Sequence, residues 1–283
     1  MSSGLARTSG VSSPHVKAFS MNDRSNRPDS VEANADPAAD AREATLIRYL
    51  DEFTAQARAG QSPDFEAVGK SHPELVDELR QLWATAMVAE DLPTATGALL
   101  SSDGEALTTL IERDREIDAL YREVEELVNR EILLQQPVAS DLRFLLSVLR
   151  IVPELERSHD LVVHIAARGN RIFSDDLSPR ARGLVEAMSD LASTMWRTAA
   201  DAWYQRDRSA AQDLVGRDEE MDDLHASLIA ELASGQMSVP VTMEMTLAAR
   251  DYERLGAHAV NIARRVVYLA GTGNIPNPGP TRE

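Results

Sequence analysis

The sequence contains no cysteine, which excludes disulfides, thiolate metal ligands and a cysteine nucleophile. Aromatic residues make up only 5% of the chain, a share typical of packed helices rather than of sandwiches or barrels. Long apolar runs are also missing: no stretch approaches the roughly 20 residues that a membrane-spanning helix needs, and the N-terminus lacks the apolar core of a signal peptide. We therefore expect an all-α, cytoplasmic protein with no membrane insertion.

Basic residues are scarce, since 29 Lys and Arg stand against 46 Asp and Glu, and the net charge is -17. Such a field repels phosphate backbones and anionic membrane surfaces, so no nucleic-acid partner is expected. The sequence also has no G-x-S-x-G, GxxxxGK[ST], H-E-x-x-H or G-x-G-x-x-G motif. Nothing in it indicates a nucleophile with its base, and we expect a protein that is not an enzyme.

Apolar periodicity divides the chain into helical segments. The predicted order is a disordered tail (1–42), a helical leader (43–92), a first bundle (93–173), a second bundle (178–273) and a loose tail (274–283). Breaks are predicted at Pro93, at 101–104 and at 135–138, and Pro153 is expected to kink or divide a helix. Met21 is a second candidate translation start.

An internal repeat gives the two bundles a common plan. LIERDREIDAL at 110–120 matches LVGRDEEMDDL at 214–224, and the helix around Glu156 is echoed by the helix around Glu253. The first match has an offset of 104 residues and the second an offset of 97, so the connection is shorter in the second copy. Two related helical bundles are implied.

Acidic residues four apart mark one candidate site in the first copy. Asp114 and Asp118 share one helix face, as do Glu156 and Asp160. Carboxylates that converge from neighbouring helices suit hard or borderline cations such as iron, manganese or magnesium, and zinc is less favoured without cysteine. The alternative stays open that these pairs are solvated helix faces, because a chain with 46 acids contains several by chance.

The second copy repeats only part of this pattern. Asp218 and Asp222 reproduce the first pair, but Glu253 is followed four residues later by Ala257 instead of Asp. His258 is a candidate replacement for the missing carboxylate. The second site is therefore expected to bind metal weakly or not at all.

Two further histidines lie beside these acids, His159 next to Asp160 and His225 three residues after Asp222. A lone histidine is more often structural than a ligand, so both are left out of the predicted site. A carboxylate-bridged metal enzyme is a different reading of the acids. It would need inward-facing Glu-x-x-His motifs on two helices, and no such pair is in place.

Four segments together resemble the PhoU family: RDREID, QQPVASDLR at 135–143, LERSHD at 155–160 and YERLGAHAVNIARRVVYL at 252–269. The resemblance spans roughly residues 95 to 273. It implies a tandem pair of three-helix bundles related by pseudo-symmetry. It also implies metal ions, among iron, manganese, magnesium and zinc, at acidic faces that here contain Asp114, Asp118, Glu156, Asp160, Asp218, Asp222 and Glu253. The family has Gly where this chain has His159.

The resemblance also implies a role. Members of the family restrain phosphate uptake and the phosphate-starvation response, through contact with the ATPase of the phosphate ABC transporter and with a phosphate-sensing histidine kinase. A homodimer is expected on the same ground. That role is regulation through protein contact and requires no turnover.

The N-terminal segment departs from the family. Residues 44–92 resemble the helical leader that precedes the catalytic domain of certain bacterial Ser/Thr kinases, but no kinase motifs follow. Either the leader is fused in front of the repeat, or its last helix (75–92) is also the first helix of bundle one, which we favour. The alternative function is a helical adaptor without metal that links a kinase pathway to another partner.

Overall fold

The structure, a computed structural model, describes residues 37–59, 61–73, 75–171 and 177–270, and these residues form helices and short connections without a strand. The all-α prediction is confirmed. The helices are α1 (Pro37–Arg58), α2 (Phe65–Ser71), α3 (Val76–Ser101), α4 (Gly104–Gln135), α5 (Ala139–Arg168), a 3-10 turn (Gly169–Arg171), α6 (Pro179–Gln205), α7 (Arg208–Leu232) and α8 (Val239–Ala270).

The core is built from two three-helix bundles. Bundle one contains α3, α4 and α5, and bundle two contains α6, α7 and α8. In each bundle the second helix packs along the third, and the bundles meet where α3 packs on α6 and α5 packs on α8. The tandem pair of bundles expected from the repeat is therefore present.

Across the bundle interface the paired helices run antiparallel, and buried polar contacts fix their register. Thr96 of α3 contacts Ser189 of α6 at 2.7 Å and the Tyr252 hydroxyl of α8 at 2.6 Å. Near the far end of the α5–α8 pair, the guanidinium of Arg168 binds Asp251 at 2.9 Å. Buried polar groups that find partners specify one arrangement of a core that apolar contacts alone define loosely.

Helix α3 is the central helix of the molecule, because it contacts α1, α2, α4, α5 and α6. The predicted break at Pro93 is wrong: the helix runs through it from Val76 to Ser101. Proline removes one helical hydrogen bond and costs about 3 kcal/mol in a helix interior. Pro93 itself is exposed while Leu92 and Ala95 beside it are buried, so burial of the helix on both sides offsets that cost. The predicted leader (43–92) and first bundle (93–173) thus share one helix.

The other predicted breaks coincide with helix ends. Asp103 caps α4 through its side chain, which accepts hydrogen bonds from the backbone N–H groups of Glu105 and Ala106. Gln136 adopts the left-handed conformation that ends α4, just before the 137–138 connection. Pro153 does not divide α5, which is continuous from Ala139 to Arg168.

The N-terminal helices pack on bundle one as part of its core. Leu46, Leu50 and Phe53 of α1 are buried, and each large apolar side chain of this kind contributes about 1.5–3 kcal/mol. Phe65 of α2 bridges α1 and α3, with its ring centroid 4.9 Å from that of Phe53 and 5.7 Å from that of Trp83. The leader is therefore an integral layer over α3.

The predicted tail over 1–42 is too long at its end, because α1 begins at Pro37. Alanine-rich sequence extends the helix there, and Arg42 binds Glu78 of α3 at 2.5 Å. The rest of that tail and the tail over 274–283 lie outside the described residues. In the part of the chain that is described, no helix is both long and apolar enough to cross a membrane.

Candidate functional site

The four acidic residues predicted in the first copy lie together on the α4–α5 pair. Asp114 and Asp118 are one helical turn apart on α4, and Glu156 and Asp160 are one turn apart on the helix that packs along it. All four side chains are half-buried. The structure thus brings the first-copy carboxylates to one face of bundle one.

These carboxylates repel one another, which is visible in their pKa values. Burial raises the pKa of Asp118, and the charge of Asp114 raises it further. Burial also raises the pKa of Glu156, with the charges of Asp160 and Asp118 adding to the effect, and the pKa of Asp160 is raised by burial and by Asp114. A bound cation would relieve this repulsion, so the charge balance of the cluster fits a metal.

A second polar network lies directly beneath the cluster. His159 is fully buried, and its Nδ1 lies 2.8 Å from Oδ1 of Asp114 while its Nε2 lies 3.0 Å from Oδ2 of Asp91. Burial lowers the pKa of His159, but the hydrogen bonds and charges of Asp114 and Asp91 outweigh it and the pKa is raised. In its protonated form His159 donates to both carboxylates, and one oxygen of Asp114 faces the imidazole.

The network continues to the leader through Arg113 of α4. Its guanidinium contacts Asp91 of α3 and donates a hydrogen bond of 2.6 Å to the backbone carbonyl of Ala57 in α1. Sequence reasoning missed Asp91 and Arg113 and left His159 out of the site. One signal was available, because Glu90 and Asp91 are the only acids between Glu78 and Asp103 in a mostly apolar stretch, and a buried charge requires a partner.

Bundle two has no comparable cluster among its predicted residues. Asp222 is exposed, Asp218 and Glu253 are half-buried, and Ala257 stands where bundle one has Asp160. The repeat aligns Gly256 with His159, and a Cβ at Gly256 would lie 3.3 Å from Met221 and 3.5 Å from Met195. The interior that is polar in bundle one is therefore filled by methionines in bundle two.

His258 does not replace the missing carboxylate. It faces α5 of the other bundle, where its Nδ1 lies 2.8 Å from the Ser158 hydroxyl and its Nε2 lies 3.7 Å from Glu154. Burial, together with the charges of Arg254 and Arg157, lowers the pKa of His258 to about 4. His258 is thus a neutral residue of the bundle interface, and His225 is half-buried on α7.

Neither set of predicted ligands forms a ready-made metal site. Throughout residues 37–59, 61–73, 75–171 and 177–270, no three His, Cys, Asp or Glu side chains are arranged to hold an ion. The metal assignment for Asp114, Asp118, Glu156, Asp160, Asp218, Asp222 and Glu253 stays a prediction.

The two bundles coincide with a known domain type. The model of the PhoU domain matches the chain twice, over residues 83–169 and 185–266. The chain belongs to the PhoU family. Both matches include all three helices of a bundle, so the repeat recognised in the sequence is a pair of PhoU domains.

Curated members of the family align over most of their length. The phosphate-specific transport system accessory protein PhoU homolog 1 of Mycobacterium tuberculosis is 33% identical over 206 residues, which cover 72% of this chain and 92% of that relative. The PhoU homolog of Zymomonas mobilis is 33% identical over 186 residues, covering 64% of this chain and 78% of that relative.

Two solved PhoU structures share the fold. The crystal structure of PhoU from Pseudomonas aeruginosa superposes with a TM-score of 0.64 at 28% identity, covering 73% of this chain and 98% of that one. The phosphate transport system regulatory protein PhoU from Streptococcus pneumoniae gives a TM-score of 0.64 at 26% identity, covering 76% and 100%. Helices α1 and α2 precede both segments matched by the PhoU domain model.

Proposed function

We propose that this protein is a cytoplasmic regulator that restrains phosphate uptake and the phosphate-starvation response when phosphate is plentiful. The observation that carries the proposal is the PhoU domain match to both bundles. Relatives that align over most of their length are phosphate-specific transport system accessory proteins. The aligned region covers 92% and 78% of these two relatives, so most of the chain that they have is present here.

The proposed mode of action is contact with other proteins. Its partners are the ATPase subunit of the phosphate ABC transporter and a phosphate-sensing histidine kinase, and it acts as a homodimer. A family of accessory proteins and a sequence without a nucleophile–base or phosphate-loop motif both favour binding over turnover. Two rigid bundles held by buried polar contacts suit a scaffold that presents fixed surfaces.

A metal ion has a proposed place in bundle one. Asp118, Glu156 and Asp160 would hold it, with the oxygen of Asp114 that does not face His159. Iron, manganese, magnesium or zinc would neutralise the repulsion among these carboxylates and join α4 to α5. Asp218, Asp222 and Glu253 would form at most a weak second site, because Ala257 removes one ligand.

The contact is tested with purified components. We expect the full chain to bind the ATPase subunit of the phosphate ABC transporter from the same genome in biolayer interferometry, with a Kd of about 10 μM or tighter. The matched control is the ATPase subunit of an unrelated ABC transporter from that genome, which should not bind. Equal binding to both subunits, or to neither, would contradict contact with the transporter.

The alternative function, an adaptor in Ser/Thr kinase signalling that needs no metal, is favoured by one observation. The α1–α2 layer precedes the segments that the PhoU domain model matches, and it packs firmly on α3 through Arg58 and Glu90, whose side chains meet at 2.6 Å. Binding to a Ser/Thr kinase, with no binding to the transporter ATPase or to the histidine kinase, would select the adaptor.

A further inference from the structure

A strip of arginine follows the exposed side of the α5–α8 helix pair. We define it as the basic band: Arg150 and Arg157 of α5, with Arg250, Arg254, Arg264 and Arg265 of α8. Arg265 is half-buried and the other five are exposed. The spacings of seven between Arg150 and Arg157 and of four between Arg250 and Arg254 place each set on one helix face.

The antiparallel packing of α5 and α8 brings the two sets side by side. Contact between Ser158 and His258 fixes the register at the middle of the pair. Arg157 and Arg254 both act on His258 between them, and Arg150 lowers the pKa of Arg265 in addition to the effect of burial. Positive charges of the two helices therefore neighbour one another across the helix pair.

Where the chain is described, close ion pairs do not occupy the arginines of this band. In the described part of the chain, none of the six arginines of the basic band has an ion-pair partner within 4 Å, whereas Arg168 nearby is paired with Asp251 and Glu244. The carboxylates beside the band are half-buried: burial raises the pKa of Glu154, and Glu156 and Glu253 directly precede Arg157 and Arg254. A basic strip without close ion pairs is locally complementary to an acidic partner.

Exposed apolar side chains continue the same faces at both ends of the band. Leu146 precedes Arg150 by four residues and is 44% exposed. Met243 and Leu247 precede Arg250 on α8 and are 62% and 42% exposed. A helix rises 1.5 Å per residue, so the stretch from Met243 to Arg265 is about 33 Å long, enough to lie along a partner helix of about 20 residues.

We propose that the basic band and its apolar ends bind an acidic amphipathic helix of another protein. Arginine suits this occupant because its planar guanidinium binds carboxylates bidentately and is more weakly hydrated than an ammonium. The exposed apolar side chains Leu146, Met243 and Leu247 favour an amphipathic protein helix over a bare polyanion. This proposal rests on the proposed function, regulation through contact with other proteins, and names the surface and the kind of partner.

The test measures binding of a synthetic probe to the full chain by fluorescence anisotropy. The probe is a 21-residue helical peptide rich in Glu with Leu at positions three and four apart, and a second peptide has each Leu replaced by Ser. We expect the Leu peptide to bind, with an affinity that falls as salt rises. The variant R150E/R157E/R254E should lose about tenfold or more in affinity, because charge reversal converts attraction into repulsion.

A matched control separates the band from overall charge. The variant R115E/R130E/R217E changes exposed arginines of α4 and α7 by the same total charge and should bind within about twofold of the natural chain. Circular dichroism and thermal melting check that both variants fold. Equal losses in the two variants, or no binding of the Leu peptide to the natural chain, would overturn the proposal.

Competition in the same assay, together with light scattering, distinguishes three other occupants. Each competitor is compared with unlabelled Leu peptide at equal concentration of negative charges. Stronger competition by inorganic polyphosphate would identify a polyanion as the occupant, and stronger competition by phosphatidylglycerol vesicles would identify a membrane surface. Equal affinity for the Leu and Ser peptides would remove the role of the apolar ends. Light scattering that shows a dimer lost only in R150E/R157E/R254E would make a second copy the occupant. The assay contains no component of phosphate transport, so its failure is distinct from failure of the proposed function.

Discussion

At the scale of single residues, two buried ionisable groups link the stability of the fold to pH. Asp201 near the end of α6 is one: within the described residues its Oδ1 is buried without a hydrogen-bond partner, and burial raises its pKa from 3.8 to about 6. His258 is the opposite case, since its pKa is lowered from 6.5 to about 4. The raised pKa of Asp201 makes the folded state lose stability as pH rises from about 4 through 6, whereas the lowered pKa of His258 makes it lose stability as pH falls from 6.5 towards 4.

Asp201→Asn should stabilise the protein at pH 7.5. The native state favours protonated Asp201, so its contribution is complete below pH 3.8 and lost above pH 6. The neutral amide avoids that loss, and the gain should reach up to about 3 kcal/mol at pH 7.5 and vanish near pH 4. Urea unfolding of the two proteins at both pH values measures it.

The matched control for this prediction is Asp213→Asn, which changes an exposed carboxylate on α7. It should alter the free energy of unfolding by less than about 0.5 kcal/mol at either pH. Comparing each variant with the natural chain at one pH cancels the effect of His258. If Asp201→Asn does not raise the free energy of unfolding at pH 7.5, or raises it equally at both pH values, the pKa of Asp201 is not raised by burial.

At the scale of helices, the pairs α4–α5 and α7–α8 show how one plan has diverged. The spacing of four residues predicted both acidic pairs of bundle one, because residues four apart on a helix share a face. It did not predict the His159–Asp91 contact, since Asp91 belongs to α3, which the sequence divided at Pro93. Local periodicity predicts which residues share a helix face. Which neighbouring helix that face contacts depends on tertiary packing.

The difference between the helix pairs predicts where metal binds. Protein purified without chelators should contain iron, manganese, magnesium or zinc in stoichiometric amount by inductively coupled plasma mass spectrometry. Asp118→Ala with Asp160→Ala should remove the metal, because it deletes one carboxylate from each helix of the cluster. Asp222→Ala with Glu253→Ala is the matched change in bundle two and should leave the content unchanged. If the natural protein contains no metal, the predicted site in bundle one is wrong and the function depends on protein contacts alone.

At the scale of the whole molecule, much of the fold was readable in the sequence. The two bundles followed from the internal repeat, and the helix ends at 101–104 and 135–138 followed from capping residues and proline. The position of the leader was harder to predict, because an apolar helix face shows that α1 is buried but does not show which helix covers it. The basic band was not predicted from the sequence, because its arginines come from two helices about 100 residues apart and only the packing of α5 on α8 aligns them.

The central claim, that this molecule restrains phosphate uptake, is tested most directly by uptake of radioactive phosphate into cells grown in high phosphate. Deletion of the gene should raise the initial uptake rate severalfold, and the full chain supplied in trans should restore it. In low phosphate, deletion should change the rate little. An unchanged uptake rate in the deletion strain at high phosphate would contradict the account.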